Sequence, residues 1–317
     1  MYDFIGDIDG HADELRQLLV KLEYEQHDET WSHQQRKVIF LGDYIDRGPK
    51  QKETIDIVRG MVEAGNAIAL MGNHELNAIG FSIATADGKG FLRPHISKNR
   101  EQHQKFLDEF PFGSSKYKEV IAWFKTLPMC FETTNFRAIH ACYDSRQLEV
   151  ISDHLGEEYL INDKFLVEAF TVGSQLYEAI EVCLKGIELD LPAGMSFLDK
   201  DGIERHNVRC KWWDPQLKTF KEVAIISDEN IRVNLCDKEL PANAIAEYDN
   251  LKPVFFGHYW HRGETPQKLS DFAACLDYSV ASKDLTIGKL AAYRMGNESR
   301  LDNDHFVYVD SMYAKSN

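Results

Sequence analysis

The chain has 317 residues, 44% of them apolar, enough to bury one large core. Its 36 Lys and Arg against 51 Asp and Glu give a formal charge of −15, which excludes non-specific nucleic-acid binding through a basic surface. No apolar run approaches the ~18 residues of a membrane span, and Cys130, Cys142, Cys183, Cys210, Cys236 and Cys275 form no CxxC pair, so free thiols and a cytoplasmic location are expected.

Tyr2-Asp3-Phe4-Ile5 predicts a first strand, closed by Gly6 and an acidic turn that holds Asp7 and Asp9. Over residues 12–24, Leu15, Leu18, Leu19 and Leu22 recur at the spacing of an amphipathic helix. Val38-Ile39-Phe40-Leu41 predicts a buried strand, followed by Gly42-Asp43-Tyr44-Ile45-Asp46-Arg47-Gly48. Ligands of open α/β sheets bind at such strand ends. Asp43 offers oxygen to a metal, and Arg47 offers a planar fork to a phosphate.

A helix over 54–63 and a strand over 67–71 lead to Gly72-Asn73-His74-Glu75. Three strand–turn–helix steps thus end in metal or phosphate chemistry. The pattern is less regular from 77 to 128, apart from a helix over 117–127. A short strand at 137–139 ends in His140. Residues 145–210 read as a mainly helical cap insertion, with a helix over 164–187 and a hairpin over 197–213 that turns at Asp201-Gly202. No linker sets it apart, so one domain over 1–317 is expected. Val254-Phe255-Phe256 predicts a strand ending in Gly257-His258. Runs at 272–277, 289–294 and 306–309 predict three more strands, read as an antiparallel second sheet.

The strand ends collect Asp7, Asp9, Asp43, Asn73, His140 and His258. Three carboxylates, an amide and two imidazoles suit two hard or borderline divalent cations. A carboxylate can bridge metals about 3.5–4 Å apart. Arg47 would hold a phosphate, and His74 would protonate a leaving alkoxide.

In their order, these blocks resemble the GDxHG, GDxxDRG, GNHE, His and GH pattern of the calcineurin-like metallophosphoesterases. Trp212-Trp213-Asp214-Pro215 is similar to the WxDP stretch of the phosphoprotein-phosphatase branch. The resemblance implies an α/β fold of two mixed β-sheets packed face to face with flanking helices, an αββα sandwich. It implies a first metal on Asp7, Asp9 and Asp43 and a second on Asp43, Asn73, His140 and His258, the ions being manganese, iron, zinc or magnesium. Asp46 would orient His74 as general acid, Arg47 would bind phosphate, and a bridging hydroxide would attack in line.

The family's first block has His where this chain has Asp9, which lowers the summed charge of the site by about one unit. Asp9 could also cap the following helix, and His11 is a candidate replacement ligand. His261 reads as a rim residue, Trp212 and Trp213 as packing, and Asp277 as an outer partner or a plain strand terminus. The first reading is a phosphatase acting on phosphorylated protein or a small phosphoester. Its alternatives are a symmetrical dinucleoside-polyphosphate (diadenosine tetraphosphate) hydrolase and a weakly active or non-catalytic metal-binding protein. Retention of Asp46, Arg47 and His74 argues against the last. Neither nucleic acid nor membrane is an expected partner.

Overall fold

A computed structural model describes the chain apart from residues 29, 156–160, 199–203, 227–228, 233–234, 236–238, 241–243, 262–264, 283–287 and 313–317, and apart from side chains 229–230. The main sheet has six described strands. Tyr2–Ile5 runs parallel to Lys37–Phe40, which runs parallel to Ala67–Ala69. On its other edge Tyr2–Ile5 pairs antiparallel with Lys289–Met295, and that strand also pairs with Asp277–Tyr278 and Phe306–Asp310. The second sheet holds Cys130–Glu132, Arg137–Ile139, Val254–Phe256 and Ala273–Cys275, the last three mutually parallel. Both are mixed α/β-type sheets, as expected.

Successive side chains of a strand point to opposite faces. Phe4, Ile39, Leu41 and Leu70 therefore share one apolar cluster with Ala138, Phe255, Ala274 and Leu276 of the second sheet and its neighbours. The Phe4 and Phe255 rings stack at 3.7 Å between centroids. The alternate residues Ile5, Val38 and Phe40 join the larger cluster on the helical side. With both faces buried, these strands read as unbroken apolar runs.

Two expectations are corrected here. Lys289–Met295 and Phe306–Asp310 extend the main sheet and do not build an antiparallel second one. The run at 272–277 divides at Leu276, with Ala273–Cys275 in the second sheet and Asp277–Tyr278 in the main one. An apolar run signals a strand but not its partner, which is set by register with distant segments.

The first helix is Ala12–Lys21 and stops short of Tyr24, because Glu23 turns to a left-handed backbone (φ 65°). The next spans Gln51–Glu63 and starts ahead of Thr54. Asn73–Ser82 and Ser97–Glu109 occupy part of the stretch without clear periodicity, and the helix expected at 117–127 lies at Ser115–Phe124. The single helix expected over 164–187 is two, Asp163–Ala169 and Gln175–Lys185, separated by a turn at Gly173 (φ 85°).

With Ser145–Leu155, these helices bury Ile151, Phe165, Leu166, Leu176, Ile180 and Leu184 in the main core. Leu191, Val208, Phe220, Ala224 and Leu235 form a separate small cluster. Phe197–Leu198 pairs with Glu204–Arg205, the Asp201-Gly202 turn lying outside the described residues, whereas Asn207–Arg209 pairs back to Glu188–Asp190. Cys130, Cys142, Cys183, Cys210 and Cys275 are free thiols, and Cys236 lies outside the described residues. Among the described residues no helix is long and apolar enough to cross a membrane.

Candidate active site

The loops that follow the strands meet on one rim. Asp9 (φ 52°), Asp43 (φ 52°), Asp46 (φ 93°) and His258 (φ 66°) all have left-handed backbones there. Side chains other than glycine seldom adopt that region, and such residues gather at functional sites. The loops are laced together. The amides of Ile8 and Asp9 donate to the Asp43 carbonyl at 3.0 and 2.8 Å. The Glu75 carboxylate accepts the amides of Asp43, Tyr44 and Gly72 at 2.9, 2.8 and 3.1 Å. A Cβ at Gly257 would overlap Asp7 Oδ1, and one at Gly72 would overlap the Asp43 amide, so neither loop has room for a side chain.

Two donor clusters share Asp43. Asp43, His140 and His258 form one, and Asp9, Asp43 and His74 the other, with ligand atoms within 4.8 Å of one another in each. His140 Nδ1 lies 2.8 Å from the Leu41 carbonyl, an acceptor. That nitrogen therefore carries the proton, and the Nε2 lone pair faces Asp43 Oδ1 at 3.4 Å. The Asn73 amide end faces Asp43 Oδ2, His140 Nε2 and His258 Nδ1. With its oxygen inward, four lone-pair groups converge, which is the donor set a divalent cation needs. Asp9 Oδ1 and His258 Nε2 are buried without a hydrogen bond.

Asp7 lies outside both clusters but beside them, its oxygens accepting the His258 amide at 3.1 and 3.3 Å. Burial, reinforced by Asp277, Asp43 and Asp9, pushes its pKa well up. Burial also pushes Asp9 up to about 7, against the pull of Arg47 and His74. Asp43 is buried as well, yet His140 and His74 outweigh the burial and hold it below the usual carboxylate range. Buried acids that resist joint ionisation are relieved by a cation, so the residues present fit a metal pair.

Arg47 Nε lies 3.4 Å from Asp9 Oδ1 and its side chain is 34% exposed, within reach of a ligand. The guanidinium carbon stands 4.3 Å from the centroid of Trp260. Asp277 fixes that ring's loop by accepting the Trp260 amide at 3.0 Å and the Ser279 amide at 2.9 Å. His74 Nδ1 lies 2.5 Å from Asp46 Oδ2, and its Nε2 lies 3.9 Å from Asp43 Oδ2. Burial alone would lower the His74 pKa, but Asp43 and Asp46 raise it to about 9. In the metal-free protein the imidazole is then protonated near neutrality.

The rim thus brings together Asp7, Asp9, Asp43, Asn73, His74, His140, His258, Asp46 and Arg47. Other candidates lie elsewhere. The residue at the cap position of the first helix is His11, not Asp9, and its Nδ1 turns back to the carbonyls of Ile8 and Asp9 at 3.1 and 3.0 Å. His261 packs against Tyr278 at 5.3 Å and belongs to neither cluster. Trp212 and Trp213 pack on Phe256 at 4.9 and 5.2 Å. Sequence reasoning missed His103, whose Nδ1 lies 2.6 Å from Asp46 Oδ1. The available signal was slight: His103 and Phe106 are the buried residues of an otherwise polar helix.

A symmetrical bis(5'-nucleosyl)-tetraphosphatase of Vibrio cholerae serotype O1 is 33% identical over 138 residues, 43% of this chain and 42% of that protein, so the match spans less than half of the relative. The enzyme of the same name from Aliivibrio fischeri is 26% identical over 231 residues, 66% of this chain and 71% of its own. The crystal structure of a cold-active protein-tyrosine phosphatase from a psychrophilic Shewanella species is 15% identical, covering 92% of this chain and 75% of that chain at a TM-score of 0.48. The family model for calcineurin-like phosphoesterases matches residues 2–175, more than half of the chain, and the protein belongs to that family.

Proposed function

We propose that the protein is a metal-dependent phosphoester hydrolase acting on symmetrical dinucleoside polyphosphates. The observation that carries hydrolysis is the meeting at Asp43 of two donor clusters, one of which includes His74. The tetraphosphatase relatives favour the dinucleotide substrate. Cations held by Asp7, Asp9, Asp43, Asn73, His140 and His258 would supply Lewis acidity to the phosphoryl group and acidify a water.

The chain's own groups do the rest. Arg47 binds phosphate oxygens, its plane set by the Trp260 ring. His74, as imidazolium, donates its Nε2 proton to the leaving oxygen, and Asp46 accepts from Nδ1 so that Nε2 faces the site. A second reading, hydrolysis of phosphomonoesters on protein, is favoured by the Asp46-Arg47 pair and by Trp212-Trp213-Asp214-Pro215.

Diadenosine tetraphosphate, p-nitrophenyl phosphate and a phosphopeptide, assayed side by side with manganese or magnesium, test the proposal. ADP is expected as the sole nucleotide product, and chelation should abolish it. Turnover of phosphopeptide without ADP formation would move the assignment to the second reading. No turnover at full metal loading would make the protein a metal-binding one.

A further inference from the structure

His103 belongs to none of the sequence blocks, yet it shares a carboxylate with the proton donor. We infer that His103 is a positioning residue that orients His74 through Asp46, an inference that rests on the proton-donor role proposed for His74. Each oxygen of Asp46 meets one imidazole Nδ1: Oδ2 meets His74 at 2.5 Å, and Oδ1 meets His103 at 2.6 Å. A carboxylate only accepts, so both nitrogens donate, and charge-assisted bonds of this length are strong and directional. With one donor alone, the carboxylate plane is free to twist about its terminal torsion. A second donor on the opposite oxygen fixes that plane, and with it the ring of His74.

The anchor is itself rigid. His103 is buried, and its ring lies 4.8 Å from Phe106 and 5.2 Å from Phe81. Its Nε2 is buried without a hydrogen-bond partner, so the polar reach of this ring is spent on Asp46. From below, the Asp46 amide donates to Gln51 Oε1 at 2.7 Å. Asp46 is thus held at its backbone and at both oxygens. A histidine kept only for packing would not need its donor turned to the carboxylate that serves His74.

The test compares wild type, His103→Phe, His103→Asn and His74→Asn on p-nitrophenyl phosphate and on an alkyl phosphate, whose leaving group needs a proton more. Phenylalanine fills the aromatic slot without a donor, and asparagine returns an N–H near the place of Nδ1. His103→Phe should lower kcat on the alkyl ester roughly 10–100-fold. The loss should be smaller on the nitrophenyl ester, with KM and metal content unchanged, and His103→Asn should recover most of it. If His74→Asn discriminates between the esters while both His103 variants match wild type, the inference is overturned and the role of His74 stands. If His74→Asn shows no discrimination, the proton-donor reading fails first. Equal losses on both esters in both His103 variants, accompanied by lost metal, would leave His103 as scaffold and overturn the inference.

Discussion

Asp9 changes two neighbours at once. It puts a carboxylate where the family pattern has an imidazole, and its Oδ1 lies 3.4 Å from the Arg47 Nε that would grip a phosphate. Replacing it with histidine should release Arg47 and return about one unit of positive charge to the site. Imidazole also suits borderline ions such as manganese or zinc better than carboxylate does. The backbone at φ 52° is no obstacle, since histidine is among the residues enriched in the left-handed region. Asp9→His should therefore retain the first metal more tightly and turn over faster at limiting metal. Elemental analysis beside rates across a manganese titration checks this. No gain over a wild type already holding two ions would show Asp9 to be a competent ligand.

At the level of elements, the Ser97–Glu109 helix connects parts that the chain keeps far apart. Glu109 accepts the amides of Gln51 and Lys52, both at 2.8 Å, in the first turn of Gln51–Glu63, whose own cap residue Lys50 makes no side-chain bond there. Gln51 in turn donates to the Gly48 carbonyl at 2.8 Å and so steadies the loop carrying Arg47. Glu109→Ala should cost about 0.5–2 kcal/mol, the usual range for a lost helix cap. Urea unfolding would read it as a lower midpoint with unchanged slope. This helix was illegible in the sequence because it buries only His103 and Phe106 and shows no continuous apolar stripe. The strands before Asp7, Asp43, Asn73 and His258 were legible because each is a short apolar run stopped by glycine. Their partners were not, since Tyr2–Ile5 pairs with Lys289–Met295 at the other end of the chain. For the same reason the residues of the rim could be gathered from motifs, while the contact from His103 to Asp46 could not.

For the whole molecule, the buried acids make the metal-free protein sensitive to pH. Burial raises Asp9 to about 7 and Glu75 to about 8, and raises Asp7 as well. Unfolded carboxyls titrate near pH 4. Between about pH 4 and 8 the folded state thus binds more protons than the unfolded one, and stability falls as pH rises. His74 and His140, both raised, lose their contribution in the same direction above neutrality. His258 and His11, both lowered, oppose the trend below about pH 6.5. Asp43 and Asp46 are lowered and titrate only in acid. Chelated protein should melt lower at pH 8 than at pH 5, and manganese should add more stability at pH 8. Equal melting at the two values would remove the acids from this role. The late arrival of His258 has a consequence in time. A nascent chain ending before Gln175–Lys185 already carries Asp9, Asp43, His74 and His140. It lacks both His258 and the Lys289–Met295 strand that covers one edge of Tyr2–Ile5. Chains emerge from the ribosome N-terminus first. The rim therefore closes only after His258 and the Lys289–Met295 strand have emerged, and tight metal uptake waits for both.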